Sequence, residues 1–141
     1  MWKSPKDFEL VEAVRNLEFD KVKTLVFKGA DVKVRDIETE FIKGKRQDFV
    51  TMPLIIAVAA GNYDIAKFLI DKGADTNVTW TLRRKTMLCS AISDRNKELV
   101  ELLLAGGANP NKKCRIKKAG KDLFTPLRLA NLLVIVIPQD Y

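Results

Sequence analysis

The strongest constraint on the fold of this chain is an internal repeat. Three segments of 26 residues align without a gap, over residues 8–33, 52–77 and 86–111. They share alanine, leucine and glycine columns: Ala13, Ala57 and Ala91; Leu25, Leu69 and Leu103; Gly29, Gly73 and Gly107. Each glycine is followed by Ala and then by Asp or Asn, a corner that we call GAD/GAN. A period of this length predicts an array of small units that bury a core only by stacking on one another.

The spacing of the repeats predicts where the chain carries insertions. A fourth copy begins at Thr125 with TPLRLA, so successive copies start 44, 34 and 39 residues apart. With a basic unit of about 33 residues, the extra residues all follow a GAD/GAN corner and share one structural position. We expect one domain over residues 1–141, with repeats at about 5–40, 51–84 and 85–123 and a partial repeat at 124–141.

Within a unit the apolar residues have a helical period in two pieces. In the second repeat, Leu54 to Val58 form the apolar face of one short helix, and Gly61 and Asn62 end that helix. Ile65 to Ile70 then line the apolar face of a second helix. Gly73 is placed to end the second helix in the left-handed conformation. Ser4, Pro5 and Asp7 supply an N-cap, a first-turn proline and an acid, so the first helix is predicted to begin at residue 5.

These residues resemble the ankyrin repeat family, whose unit opens with TPLHxA and closes with GADxN. The matching segments are Pro53-Leu54, Ala57, Gly61, Gly73 to Asp75 and Asn77; Thr86, Leu88, Ala91, Gly107 to Asn109 and Asn111; and Thr125 to Leu127 with Ala130. The resemblance covers residues 8–130 and implies an all-α repeat solenoid of stacked helix hairpins. Long β-hairpin or loop fingers would then join the repeats, and the fingers and short helices would form a concave binding surface.

The chain departs from the family pattern at two places. The histidine of TPLH is replaced by Ile55, Cys89 and Arg128, so the usual side-chain network of that position cannot form. The fourth repeat stops at Tyr141, after an apolar run at residues 132–137. This run either caps repeat three or forms a self-associating end, and we favour the cap and therefore a monomer.

Composition excludes several classes of function. The chain has no histidine, which removes His-based hydrolases and nearly every His-ligated metal site. Its two cysteines, Cys89 and Cys114, form no CxxC motif, and reduced thiols and a cytoplasmic location are expected, or a nuclear one if the source is eukaryotic. We expect neither a cleaved signal peptide nor a membrane-spanning helix, because the apolar runs are too short for either. We therefore expect no enzymatic activity, no cofactor, no metal and no membrane partner.

The positive charge is concentrated on the fingers. The net charge is +7, whereas the first finger (residues 32–51) carries +1, the second (with Arg83, Arg84 and Lys85) +3 and the third (residues 110–124) +5, which leaves −2 for the rest of the chain. An aligned basic edge of this kind would steer an acidic partner. Trp80, beside the second finger, serves equally well as a hairpin packing residue or as a partner contact. The finger residues predicted to bind are Lys45, Arg46, Trp80, Arg83, Arg84, Lys85, Lys113, Arg115 and Lys117.

By resemblance, the floor of the concave surface carries the two positions before each inter-helix turn. These are Arg15 and Asn16, Ala59 and Ala60, and Ser93 and Asp94. The sequence thus predicts a non-enzymatic module that binds an acidic protein, as an inhibitor, a sequestering factor or an adaptor. The alternative is nucleic-acid or polyanion binding by the same fingers, which is less favoured because few aromatic residues accompany the basic ones.

Overall fold

The structure is a computed structural model that describes residues 4–79, 86–115 and 123–124. These residues form six helices and two pairs of strands: α1 (Pro5–Arg15), α2 (Phe19–Phe27), β1 (Asp36–Ile42), β2 (Lys45–Thr51), α3 (Pro53–Ala59), α4 (Tyr63–Asp71), α5 (Met87–Ser93), α6 (Lys97–Ala105), β3 (Cys114–Arg115) and β4 (Leu123–Phe124). The chain divides into two compact units, Met1–Asp75 and Thr76–Tyr141. The predicted helix pairs are present in all three repeats, as α1–α2, α3–α4 and α5–α6.

Helix α1 begins where the sequence predicts. Ser4 is the N-cap, and its hydroxyl accepts a hydrogen bond from the Asp7 backbone N–H at 3.3 Å, with Pro5 in the first turn. Because it starts one turn earlier than its counterparts, α1 has 11 residues, whereas α3 and α5 have 7 each. The buried Asp7 carboxylate also accepts from the Asp31 backbone N–H at 2.9 Å, which links the start of α1 to the corner after α2.

Each helix pair has one residue in the left-handed backbone conformation in the turn between its helices and another at the corner after its second helix. The inter-helix turns place Leu17, Gly61 and Arg95 at φ of 57°, 69° and 56°, and the corners place Gly29, Gly73 and Gly107 at φ of 94°, 93° and 92°. Both turns close with the same pair of backbone hydrogen bonds, of which Asn62 N–H to Ala57 C=O and Ala74 N–H to Leu69 C=O, each 3.0 Å, are examples. A residue with a side chain tolerates φ near 57°, but φ above 90° favours glycine, so only the corners require glycine in every repeat.

The shared columns of the repeat form the core. Ala13, Ala57 and Ala91 are at most 1% exposed, and Leu25, Leu69 and Leu103 are at most 6% exposed. In the first unit α1 packs against α2 and α3, and α4 packs against α2 and α3. The departures Ile55 and Cys89 are also buried, so these two positions hold small or branched apolar side chains in the core instead of the family's histidine.

The insertion after the first repeat is a β-hairpin. Strands β1 and β2 pair antiparallel from Asp36↔Thr51 to Ile42↔Lys45, and the turn residues Lys43 and Gly44 have φ of 50° and 74°. Positive φ at both positions is the type I′ geometry that fits the twist of a two-residue hairpin. Thr51 is buried at the base of the hairpin, whereas residues 41–46 are all exposed.

Shorter pairings follow the other two repeats. Thr79 and Thr86 form an isolated antiparallel bridge across the second insertion, and β3 pairs antiparallel with β4 in the third. The predicted partial repeat from Thr125 onward, with its apolar run at 132–137, lies outside the described residues. Within the part of the chain that is described, no helix has the length and apolar character needed to cross a bilayer.

Candidate functional site

The helices α3 and α5 are largely buried and become exposed only at their C-terminal ends. Residues 53–58 of α3 are buried apart from the half-buried Ile56, while Ala59 and the C-cap Ala60 are exposed. In α5, residues 87–92 are buried, Ser93 is half-buried and the C-cap Asp94 is exposed. The corresponding residues of α1, Arg15 and Asn16, are exposed too. The positions named from the family resemblance are thus accessible in all three repeats.

Two of these three pairs belong to one packed unit. Because α1 packs against α3 and both helices end in the same kind of turn, Arg15-Asn16 and Ala59-Ala60 lie at corresponding ends of neighbouring helices. Ser93-Asp94 belongs to the second unit, where it ends α5 in the same way.

Arg15 is held by two carboxylates. Its guanidinium donates to Glu12, one turn earlier on α1, at 3.3 Å, and to Glu38 on β1. Glu38 was not predicted as a site residue, because nothing in the repeat pattern relates a residue inside an insertion to a helix end. Both ion pairs are about 39% exposed or more, so water screens them and an incoming carboxylate can compete for Arg15 at little cost.

The predicted finger cations that the structure describes differ in their surroundings. Lys45 and Arg46 are exposed at the end of the β1–β2 hairpin, and Lys113 is exposed before β3. The ammonium of Lys112 instead donates a hydrogen bond to the Asn77 backbone C=O at 2.6 Å, so this cation of the third finger has a structural role. Arg115 lies in β3 opposite Leu123.

The remaining predicted finger residues cannot be placed. Trp80, Arg83, Arg84, Lys85 and Lys117 lie outside the described residues.

Asn77, which closes the second repeat, binds the corner of the third. Its amide nitrogen donates to Gly107 C=O at 3.0 Å, and its amide oxygen accepts from Asn109 N–H at 2.7 Å. The adjacent Thr76, 4% exposed, donates its hydroxyl to Gly106 C=O at 3.2 Å. The sequence identified Asn77 as part of a motif, and the structure supplies its role, which is to fix the next corner.

A family model described as ankyrin repeats in three copies matches residues 10–114. The chain belongs to the ankyrin repeat family. Its curated relatives include proteins named "Ankyrin repeat, SAM and basic leucine zipper domain-containing protein 1". The Mus musculus protein is 37% identical over 83 residues, and the Mustela putorius furo and Oryctolagus cuniculus proteins are 35% identical over 83 residues. The match covers 55% of this chain and 16% of each relative, so the chain corresponds to a small part of their length.

Ankyrin repeats form protein–protein interaction modules, so the family membership indicates an interaction module. In the described ranges, no group of three or more Cys, Asp and Glu residues is arranged to hold a metal ion. The hydrogen bond that the ammonium of Lys67 donates to Asp71 raises the pKa of Lys67, but this pair lies on α4, away from the short-helix ends.

Cys89 differs from its sequence interpretation. It is 1% exposed in α5, as expected for a small core residue, but it is disulfide-bonded. The expectation of reduced cysteines is therefore wrong at this position. The only other cysteine in the sequence is Cys114.

Proposed function

We propose that this ankyrin chain binds an acidic partner protein through the exposed ends of its short helices and its basic fingers, as an inhibitor, sequestering factor or adaptor. The observation that carries the proposal is the accessibility of Arg15-Asn16, Ala59-Ala60 and Ser93-Asp94 at the C-terminal ends of α1, α3 and α5, of which α3 and α5 are otherwise largely buried. In the first compact unit, Arg15-Asn16 and Ala59-Ala60 stand at equivalent positions of neighbouring repeats, and such a surface suits an extended ligand, because each repeat can contact the next part of it.

The side chains at these positions fit a ligand that approaches closely. Ala59 and Ala60 add only a methyl group each, so a helix or extended segment can lie near the backbone there. Arg15 offers a guanidinium beside this shallow region, with Glu38 as an exposed and replaceable counter-ion. An acidic side chain of the partner would take the place of Glu38.

The finger cations would act mainly on the rate of association. Lys45, Arg46 and Lys113 are exposed, and charges of this kind raise the encounter rate of an oppositely charged partner more than they raise the final affinity. The sequence adds Arg83, Arg84, Lys85, Arg115 and Lys117 to this set.

The experiment is capture of partners from the native source by the intact chain, with and without nuclease and at two salt concentrations. We expect a protein partner that survives nuclease treatment. A variant with Arg83, Arg84, Lys85, Lys113, Arg115 and Lys117 changed to glutamine should capture it more slowly at low salt, with its stability within about 1 kcal/mol of the native chain. Loss of all binding after nuclease, with affinity falling steeply with log salt, would instead assign the fingers to nucleic acid.

A further inference from the structure

The end of the β1–β2 hairpin exposes two large apolar side chains that the proposed function does not use. Phe41 is 75% exposed and Ile42 is 43% exposed, although both precede a turn where polar residues are the rule. Exposed apolar residues that cluster with charge are a mark of an interaction site.

Each of these apolar residues faces a cation across the hairpin. The register pairs Phe41 with Arg46 and Ile42 with Lys45. Residues in direct cross-strand register share a face, and successive residues alternate between faces, so one face carries Phe41 with Arg46 and the other carries Ile42 with Lys45. Each of the two faces of the hairpin end thus carries one apolar side chain and one cation.

The turn itself adds a third cation at an unfavourable backbone position. Lys43 has φ of 50° and Gly44 has φ of 74°. Type I′ turns prefer Asn or Asp before the glycine, because these residues adopt the left-handed conformation at the lowest cost. Lysine at this position contributes charge and not turn stability.

Charge is segregated along the hairpin. The acidic residues of the two strands, Asp36, Glu38, Glu40 and Asp48, all lie nearer to the base than the cations do. The turn lies about 20 Å from the base, since six residues separate them at about 3.4 Å each. A long polyanion that lay along the hairpin would pass these four acidic positions, whereas a ligand that contacts only its end would meet Phe41, Ile42 and three cations.

We propose that this hairpin end, residues 41–46, inserts end-on into the interface of an anionic lipid bilayer. A bilayer surrounds an inserted end on both faces and offers acyl chains to Phe41 and Ile42 and anionic headgroups to Lys43, Lys45 and Arg46. A flat protein surface would use one face of the hairpin only. Two apolar side chains and three cations support weak, reversible binding. This contact is peripheral, and it departs from the expectation of no membrane partner, which considered spanning segments alone.

The experiment measures binding of the intact chain to vesicles by flotation. The vesicles contain phosphatidylcholine alone or phosphatidylcholine and phosphatidylserine at about 7:3. We expect binding to the anionic vesicles and little to the neutral ones. The Phe41→Ser variant should bind the anionic vesicles about tenfold more weakly.

Two further variants separate insertion from general stickiness and from misfolding. Phe27→Ser is the matched control, because Phe27 is 73% exposed and has the Lys72 ammonium 5.1 Å from its ring centroid, but lies on α2 and not at a turn. It should change vesicle affinity less than twofold. Lys43→Asn supplies the residue that the turn prefers, so the hairpin keeps its fold, and it should bind about fivefold more weakly through the lost charge.

The proposal would be overturned by equal binding to neutral and anionic vesicles, by equal losses for Phe41→Ser and Phe27→Ser, or by native affinity for Lys43→Asn. No binding to anionic vesicles would overturn it as well. In that case binding of polyglutamate that Phe41→Ser abolishes would assign the hairpin end to an acidic protein.

Discussion

Repeats one and two meet the corner of the following repeat by different chemistry. At the end of repeat two, Thr76 and Asn77 make three side-chain hydrogen bonds to the backbone of residues 106–109. We call this contact the second joint. At the end of repeat one the equivalent residues are Val32 and Lys33, and Lys33 Cε lies 3.8 Å from where a Cβ at Gly73 would stand. We call this contact the first joint.

The difference lies in what the side chains can do. Val32 has no polar atom, and an ammonium donates hydrogen bonds but accepts none, so the first joint cannot reproduce the pairing that Asn77 makes. Val32 is instead buried, 7% exposed, and contributes apolar contact. In a repeat protein the stability is roughly a sum over such interfaces, so two joints of one fold can differ in strength through two residues.

The largest expected effect comes from removing the amide of the second joint. Asn77→Ala leaves Asn109 N–H and Gly107 C=O without their side-chain partner and should lower the free energy of unfolding by about 2 kcal/mol. Lys33→Ala, the same column at the first joint, should lower it by less than about 0.5 kcal/mol. Urea unfolding of both variants measures the contrast, and equal losses would remove the distinction between the joints.

The hydroxyl of the second joint should contribute less than the amide. Thr76→Val keeps the shape but removes the donor to Gly106 C=O, and we expect a loss of about 1 kcal/mol in thermal or urea unfolding. Thr24→Val is the control, since its exposed hydroxyl donates to Asp20 C=O within α2 and water can replace it. If both valine variants unfold alike, the Thr76 bond adds nothing to the joint.

Replacing Lys33 of the first joint by asparagine, the residue at the same position of the second joint, should stabilise the first joint. Lys33→Asn places an amide beside the Gly73 corner, and we expect it to raise the free energy of unfolding by up to about 1 kcal/mol. The readout is the urea midpoint at an unchanged slope. A lower midpoint would mean that the apolar contacts of the Lys33 side chain stabilise the joint more than the asparagine amide does.

The smallest effect extends the comparison to the inter-helix turns. Asn62 and Asn96 cap α4 and α6 through hydrogen bonds from Ile65 N–H and Leu99 N–H, whereas Glu18, the N-cap of α2, makes no such side-chain bond. Glu18→Asn should therefore raise stability by about 0.5 kcal/mol, even though it removes the exposed ion pair with Lys21. Asn62→Ala provides the opposite sign, and a stabilised Asn62→Ala variant would refute the capping argument.

Features set by local chemistry were predictable from the sequence. The start of α1 follows from Ser4 and Pro5, and the corner glycines follow from a backbone angle that other residues adopt only with strain. Leu17 and Arg95 were not predictable as left-handed residues, because positive φ is uncommon for leucine and arginine and neither residue type signals it.

Features of the insertions could not be predicted from the sequence and are known only from the structure. The Arg15–Glu38 ion pair and the exposure of Phe41 depend on the register and placement of a hairpin that lies outside the repeat pattern. The accessible helix ends could be named only through the family resemblance, since Ala59 and Ala60 carry no chemical signal of their own.

The most direct test of the central claim, that the short-helix ends bind the partner, compares two alanines. Ala59 ends the short helix α3 and Ala105 ends the outer helix α6, and both are exposed. Titration of the captured partner against Ala59→Glu and Ala105→Glu subjects both helix C-termini to the same change in size and charge. We predict at least about a tenfold loss of affinity for Ala59→Glu alone, at equal thermal stability. Equal affinities for the two variants would contradict the account.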